Sequence, residues 1–222
     1  MPQDNNAFAE YGTLCHELLE DWANGEKLAF ELADAYAERF DTEVVHYFPP
    51  FPRDMGQRYY DAGHQYFLGF DGFGSQYEVV AAEQRFTLQI AGWPFVGVMD
   101  LVLRDKTTGK LIVIDHKSKS AKTMKQHMSV YRKQLYLYAA AVEQAYGEPP
   151  SHISFNLFRE NEMVTEAYDP AVMAEVLQWV EDMIATILSD DTWEARPSRY
   201  FCDHICASAD FCPKQQGESA CM

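Results

Sequence analysis

Two aspartates and one lysine stand where apolar runs of the sequence end. Asp100 follows the run 96–99, and Asp115 follows the run 111–114, with Lys117 two residues later. Residues two apart in a strand point to the same face, so a strand here places Asp115 and Lys117 side by side. Two carboxylates on neighbouring strands repel each other, and a hard divalent cation such as Mg²⁺ or Mn²⁺ relieves that repulsion. The pattern indicates a metal-dependent hydrolytic site with a lysine beside an activated water, although each residue alone is equally typical of a strand end.

The elements that position these residues follow from hydrophobic periodicity. Apolar residues at helical spacing predict helices over residues 6–24, 27–40, 54–70, 129–146 and 169–188. Period-two alternation and short apolar runs predict strands over residues 77–90, 95–104, 111–115 and 153–158, with a polar loop over 118–126. Strands mixed with helices in this order predict an α/β domain whose mixed sheet is flanked by helices.

Length and composition set broad limits. A chain of 222 residues is long enough for one large core. It has no apolar run of about 18 residues, the length that a membrane-spanning helix needs. The first eight residues also lack the pattern of a signal peptide. These features predict a cytoplasmic protein with no membrane partner.

Charge is distributed unevenly along the chain. A net charge of −16 argues against a nucleic-acid partner. Residues 106–142, however, hold eight basic residues and one acid, a net +7 that leaves −23 for the remainder. Three lysines of this basic block, Lys119, Lys122 and Lys125, closely follow Lys117. They predict a DNA-binding surface, with an ordinary solvated face as the alternative.

Four short motifs occur in a fixed order at residues 12–20, 97–100, 115–117 and 134–138. They read as a G-x-x-x-H-x-x-L-E helix, a G-x-x-D strand, a D-x-K strand and a Q-x-x-x-Y helix. In this order, and on the elements predicted for them, they resemble the RecB-type branch of the PD-(D/E)xK nuclease superfamily. Phage-type single-domain nucleases and CRISPR-adaptation exonucleases are the relatives that the series most resembles.

The resemblance implies a restriction-endonuclease-like fold and a DNA exonuclease that acts on linear ends or single strands in a bacterial or phage-infected cell. The metal ligands it implies are His16, Asp100, Asp115 and the backbone carbonyl of His116. Lys117 would position and help to deprotonate the attacking water, while Gln134 and Tyr138 would orient Lys117 or the phosphate. Glu83 would be an additional ligand or would support one. A histidine ligand favours Mn²⁺ over Mg²⁺.

Four of the five cysteines lie in the last 21 residues. They are Cys202, Cys206, Cys212 and Cys221, with the spacing C-x3-C-x5-C-x8-C. Such a set holds a [4Fe–4S] cluster or a zinc ion, and His204 is a further candidate for zinc. The resemblance favours the cluster, whereas a set of free thiols is the plain alternative. Cys15 is expected to point away from His16 on its helix, which leaves Cys221 as the fourth ligand. We therefore divide the chain into a nuclease domain, 1–200, and a cysteine-rich tail, 201–222, packed on it.

Two other functions remain open from the sequence. One is a catalytically silent DNA-binding or assembly module with the same fold, against which the intact His16, Asp100, Asp115 and Lys117 argue. The other is an interaction protein with a zinc-ribbon tail, in which the D-x-K match is accidental. Metal analysis of the tail separates the second from the nuclease.

Overall fold

The computed structural model describes residues 6–192 and five later positions, Ser198, Phe201, Cys202, Cys206 and Cys212. The helices are α1 (Ala7–Ala23), α2 (Leu32–Glu43), α3 (Met55–Leu68), α4 (Ala121–Gln126), α5 (Met128–Tyr146) and α6 (Pro170–Ser189). The strands are β1 (Tyr77–Ile90), β2 (Trp93–Asp105), β3 (Leu111–His116), β4 (His152–Leu157) and β5 (Glu162–Ala167). A short 3-10 helix, Ala29–Glu31, precedes α2.

The five strands form one mixed sheet in the order β1-β2-β3-β4-β5. The first three strands are antiparallel neighbours, whereas β3 and β4 pair in parallel, and β5 returns antiparallel to β4. A parallel pair needs a long crossover, and α4 and α5 supply it here. The expected α/β architecture, a mixed sheet flanked by helices, is therefore confirmed, and it is consistent with a restriction-endonuclease-like fold.

Two elements differ from the sequence prediction. The polar segment predicted as a loop contains α4, because the Ser120 hydroxyl caps the helix by accepting a hydrogen bond from the backbone N–H of Thr123 (3.1 Å) and Met124 is fully buried beneath it. Strand β5 was not predicted. Its residues alternate between half-buried and exposed, and polar side chains occupy both faces, so it lacks the apolar signal of an inner strand.

Helices cover both faces of the sheet. Helices α5 and α6 pack on one face, where the largest apolar cluster includes Val102, Val113 and Leu135. The first three helices form a second cluster, with Tyr11, Leu18 and Tyr36 at its centre. Helix α1 also contacts β1 and β2, so one side of α1 lies over the sheet. No helix in the described part of the chain is both long and apolar enough to cross a membrane.

Candidate active site

Side chains from three elements meet where α1 crosses the sheet. His16 comes from α1, Glu83 from β1 and Asp100 from β2, and one donor atom of each lies within 4.8 Å of the other two. The Nδ1 atom of His16 is 3.6 Å from Oδ2 of Asp100 and 3.8 Å from Oε1 of Glu83. Among the described residues this is the one group of three such side chains that could hold a metal ion.

Glu83 reaches this position through an irregularity in its strand. Its φ is +44°, in the left-handed region that a residue with a bulky side chain rarely adopts. Ala82 packs on the cluster of Leu101 and Ile114, whereas Gln84 accepts a hydrogen bond from Tyr146 of α5 on the opposite face (2.8 Å). Residues two apart in a regular strand share a face, so the alternation breaks at Glu83. Such strain persists where the surrounding structure requires it, and functional sites are where it concentrates.

The alternation of strand β2 breaks at Asp100. The carboxylate of Asp100 is held by hydrogen bonds from two sides. Met99 and Leu101, which would share a face in a regular strand, pack in different apolar clusters. The Oδ2 atom of Asp100 accepts a hydrogen bond from the backbone N–H of His116 (2.7 Å). The Tyr138 hydroxyl donates to Oδ1 at the long distance of 3.5 Å. The carboxylate is therefore fixed by β3 and by α5 together.

Gln134 and Tyr138 lie one turn apart on α5. Gln134 Nε2 donates to the Tyr138 hydroxyl (2.7 Å), which in turn donates to Asp100. Our expectation was that these two residues orient Lys117 or the phosphate. In the structure their hydrogen bonds lead to Asp100 instead.

Asp115 and Lys117 form an ion pair at the end of β3. The Asp115 side chain has no exposed surface, and the Lys117 ammonium lies 2.8 Å from its Oδ1 and 2.7 Å from its Oδ2. Oδ2 accepts no hydrogen bond of acceptable geometry from the described residues. The backbone N–H of Lys117 donates to the carbonyl of Asn156 (2.8 Å), which extends the β3–β4 pairing and fixes the lysine. A buried carboxylate with a free lone pair is suited to a cation.

The side chain and the backbone carbonyl of His116 point in different directions. The ring lies parallel to Phe73 and within 3.1 Å of the Asn156 amide, in the interior. Its carbonyl oxygen faces the site, 2.9 Å from Nε2 of His16. A hydrogen bond from Nε2 to this carbonyl would leave Nδ1, which faces Asp100 and Glu83, as the His16 nitrogen that can bind an ion.

The carboxylates of this site are protonated more readily than usual. Burial raises the pKa of Asp115 to about 7, the nearby Asp100 adds to the effect, and Lys117 opposes it. Burial likewise raises the pKa of Asp100, against the influence of His16. Burial tends to lower the pKa of His16, but Glu83 and Asp100 outweigh it and raise the value. Burial, which disfavours the charged form of a carboxyl group, is thus the main cause for both aspartates.

The donor set fits a divalent ion. Carboxylates, a carbonyl and one imidazole are the ligands that Mg²⁺ and Mn²⁺ accept, and the imidazole favours Mn²⁺. Negative charge converges from Asp100, Asp115 and Glu83, while Lys117 is the nearest cation. The Oδ2 atom of Asp115, which accepts no hydrogen bond from the described residues, has a lone pair available to an ion.

A family model of the PD-(D/E)XK nuclease superfamily matches residues 2–213. The chain belongs to the PD-(D/E)XK nuclease superfamily. The solved structure of SSO0001 is similar at 20% identity and a TM-score of 0.36, over 60% of this chain and 59% of that one. No curated protein matches the chain. The chain thus aligns with less than two thirds of the length of the solved structure.

The PD-(D/E)XK superfamily is a superfamily of nucleases. Nucleases of this superfamily use divalent metals such as Mg²⁺ or Mn²⁺, and the acidic group around His16 is a possible site for one. A nucleic acid is the substrate that the family implies. The sequence motifs had led to the same superfamily.

An open cleft of about 440 Å³ leads to the candidate site along α1. His16, Glu83 and Lys117 line one end, and Phe8 lines another part of the wall. Glu20 also lines the cleft, and burial together with Glu83 raises its pKa. We had assigned no role to Glu20, although it is the last residue of the G-x-x-x-H-x-x-L-E motif, which is the signal that identifies it.

The three lysines expected to bind DNA lie on and near α4, beyond Lys117. The ammonium of Lys119 lies 5.2 Å from the centroid of the Tyr131 ring. Lys125 forms an exposed ion pair with Glu162 (3.1 Å). Lys122 is exposed and forms no ion pair with any described residue. The three ammonium groups are therefore free or engaged only in weak surface contacts, from which a phosphate can displace them.

The cysteines fall into two groups. Cys15 is fully buried beside Tyr11 in the cluster of the first three helices, and burial raises the pKa of its thiol. Cys202, Cys206 and Cys212 are free and half-buried. The other two residues of the predicted metal-binding tail, Cys221 and His204, lie outside the described residues.

Proposed function

We propose that this protein is a metal-dependent DNA nuclease of the RecB-type branch, acting as an exonuclease on linear ends or single strands. One observation carries the proposal above all. The fully buried Asp115, paired with Lys117, lies beside the group of His16, Glu83 and Asp100 at the end of an open cleft. Buried acids and a lysine in this arrangement contribute little to the stability of the fold, whereas they are well suited to phosphodiester hydrolysis.

His16, Asp100, Asp115 and the carbonyl of His116 are the groups we assign to the metal, with Glu83 as an additional ligand. A bound divalent ion supplies Lewis-acid polarisation of the scissile phosphate and a water of lowered pKa. The Asp115 carboxylate and the backbone-fixed Lys117 then orient that water, and the ammonium supports its deprotonation and the growing negative charge on the phosphate.

Tyr138 and Gln134 act, in this proposal, through Asp100. Gln134 donates to Tyr138, which donates to Oδ1 of Asp100. These hydrogen bonds fix the direction in which the remaining lone pair of that oxygen points. Ligands held by such outer contacts keep their orientation when the metal leaves and returns. We therefore regard both as positioning residues.

DNA is the substrate we propose, in spite of the net charge of −16. The basic block contributes Lys119, Lys122 and Lys125 on the side of the site beyond Lys117. Each contact between a lysine and a phosphate releases counterions, so a local basic surface supports binding even on an acidic protein.

The tail, in this proposal, holds a [4Fe–4S] cluster on Cys202, Cys206, Cys212 and Cys221. Free, half-buried thiols at the first three positions are compatible with it, and the burial of Cys15 in the core supports Cys221 as the fourth ligand. Zinc is the alternative occupant. Either metal accompanies a cytoplasmic setting, where thiols stay reduced.

The test compares linear and covalently closed circular DNA of the same sequence. Anaerobically purified protein with Mn²⁺ should degrade the linear form progressively and leave the circle intact. Excess EDTA should stop the reaction. Equal cleavage of both forms would overturn the exonuclease mode, and cleavage of neither would overturn the nuclease assignment.

A further inference from the structure

A segment rich in prolines and aromatic residues connects α2 with α3. Tyr47 and Phe51 in this segment are 98% and 74% exposed, although large apolar rings normally avoid water. Pro49, Pro50 and Pro52 lie among them, and each fixes its own φ. We call residues 46–53 the aromatic loop. Its two exposed rings are thus presented on a stiff backbone.

The aromatic loop is anchored to the N-terminal turns of α1. The ring of Phe48 meets Phe8 edge-on, with centroids 5.3 Å apart, and packs against Tyr59 at 4.9 Å. The backbone N–H of His46 donates to Oε2 of Glu10 (3.0 Å), and its Nδ1 lies 2.6 Å from Oε1. These contacts hold the loop beside the cleft without covering Tyr47 or Phe51.

Phe8 connects the aromatic loop with the metal end of the cleft. It lines the same cleft as His16 and Lys117 and also touches Phe48. Phe8 and His16 are eight residues apart on α1, which corresponds to about 12 Å of helix. A flexible polymer that is bound at the metal end of the cleft and extends over this distance therefore reaches the aromatic loop.

Two arginines in and beside the aromatic loop are available to a polyanion. Arg53 and Arg58 are exposed, and neither forms an ion pair with a described residue. Arg159 donates to the Tyr59 hydroxyl (2.7 Å), with its guanidinium over the Tyr59 ring, at the base of the same segment. Exposed aromatic rings combined with free arginines are the combination by which proteins bind single strands irrespective of sequence.

We propose that the aromatic loop is a stacking platform for unpaired bases, with Tyr47 and Phe51 as the stacking rings and Arg53 and Arg58 as phosphate contacts. This inference rests on the proposed nuclease function and deepens it. It names an unpaired DNA end as the form of substrate that enters the cleft. Paired bases hide their faces within the duplex and cannot use the platform.

The test measures binding to a labelled 20-nucleotide thymidine strand and to an abasic strand of the same length. Binding is measured by fluorescence anisotropy in EDTA, which prevents cleavage. The variant combines Tyr47→Ala with Phe51→Ala. Phe30→Ala is the matched control, because Phe30 is 77% exposed and precedes α2, at the opposite end of that helix from the aromatic loop.

The double variant should bind the thymidine strand at least about tenfold more weakly than wild type, because it removes both stacking rings. Its affinity for the abasic strand should match wild type, and the control should match wild type on both strands. The stacking role would be overturned if the double variant lost the same affinity for the thymidine strand and the abasic strand. It would also be overturned if the variant lost affinity for neither strand. A parallel cleavage assay with Mn²⁺ keeps the two claims apart. Wild type that cleaves DNA, beside a double variant that binds normally, refutes only the platform, whereas wild type that cleaves no DNA refutes the proposed function.

Discussion

The Lys117 ammonium lies within 2.8 Å of both carboxylate oxygens of Asp115, a side chain with no exposed surface. One lysine is therefore the main positive charge that a fully buried acid meets. Even so, burial and the neighbouring Asp100 raise the pKa of Asp115 to about 7. Burial thus outweighs the lysine, and a cation bound beside Asp115 would favour its ionised form.

Protein freed of metal should lose stability as the pH rises from about 4 to about 7. The folded state keeps a proton on Asp115 over this range, whereas the unfolded chain releases it near the ordinary value of about 3.9. The stabilising contribution is thus complete below the unfolded pKa and is lost as the pH passes the folded pKa, up to about 4 kcal/mol in all.

The measurement is urea unfolding in EDTA across this pH range. Asp115→Asn should show a smaller decline than wild type, because its amide does not titrate. Asp100 and His16 interact with the Asp115 charge and their pKa values change in the variant, so the difference reports Asp115 together with its effect on these neighbours. Parallel curves for the two proteins would refute the raised pKa.

Tyr138→Phe should weaken Mn²⁺ binding by about tenfold, the scale expected when an outer contact of a ligand is removed. The hydroxyl donates to Asp100 and receives the Gln134 amide, so its loss frees the carboxylate to rotate. Stability should fall by only about 1 kcal/mol. Tyr136→Phe on the same helix is the control, because its hydroxyl accepts from the backbone of Asp169, away from the site (3.2 Å). Isothermal titration that gives both variants the wild-type affinity would contradict the positioning role.

The triple variant Lys119→Gln, Lys122→Gln, Lys125→Gln should bind duplex DNA more weakly and with a flatter salt dependence. Each lost phosphate contact removes about 0.9 from the slope of log K against log salt. Lys110→Gln is the control, since Lys110 belongs to the same basic block but pairs with Glu148 before β3 begins, at the opposite end of the strand from the site (2.7 Å). A slope in the triple variant equal to that of wild type would mean that the three lysines are only a solvated face.

Anaerobically purified protein should be brown and should bleach in air if the tail holds an iron–sulfur cluster. Cys206→Ser and Cys221→Ser should each give colourless, less stable protein, because the cluster ties the tail to the domain. Cys15→Ala should keep its colour, since that thiol is enclosed in the core. Bleaching by Cys15→Ala together with colour in Cys221→Ser would make Cys15 the fourth ligand, and one bound zinc in colourless wild type would replace the cluster.

Periodicity and motifs were sufficient for most of the fold. The helices α1, α2, α3, α5 and α6 and four strands could be predicted because each buries an apolar face of the appropriate period. Strand β5 could not, since it lies at the edge of the sheet and its burial depends on its pairing with β4. The capped turn of α4 was hidden for a related reason, because Met124 is its only fully buried residue.

The site was predictable in its members and less so in its contacts. The D-x-K spacing places Asp115 and Lys117 together in any regular strand. The irregular backbone at Glu83 and the break in alternation at Asp100 follow from three-dimensional packing, to which no residue pattern corresponds. The partner of Tyr138 likewise depends on where α5 crosses the sheet.

Asp115 and Lys117 are the residues that we propose to perform metal-dependent cleavage of DNA. The most direct measurement is the single-turnover rate on linear DNA with Mn²⁺ for wild type, Asp115→Asn, Lys117→Met and the control Lys110→Met. Both site variants should fold, as judged by circular dichroism, and should cleave at least about a hundredfold more slowly, while the control keeps the wild-type rate. Cleavage at the wild-type rate by folded Asp115→Asn or Lys117→Met would contradict the role in cleavage that we propose for these two residues.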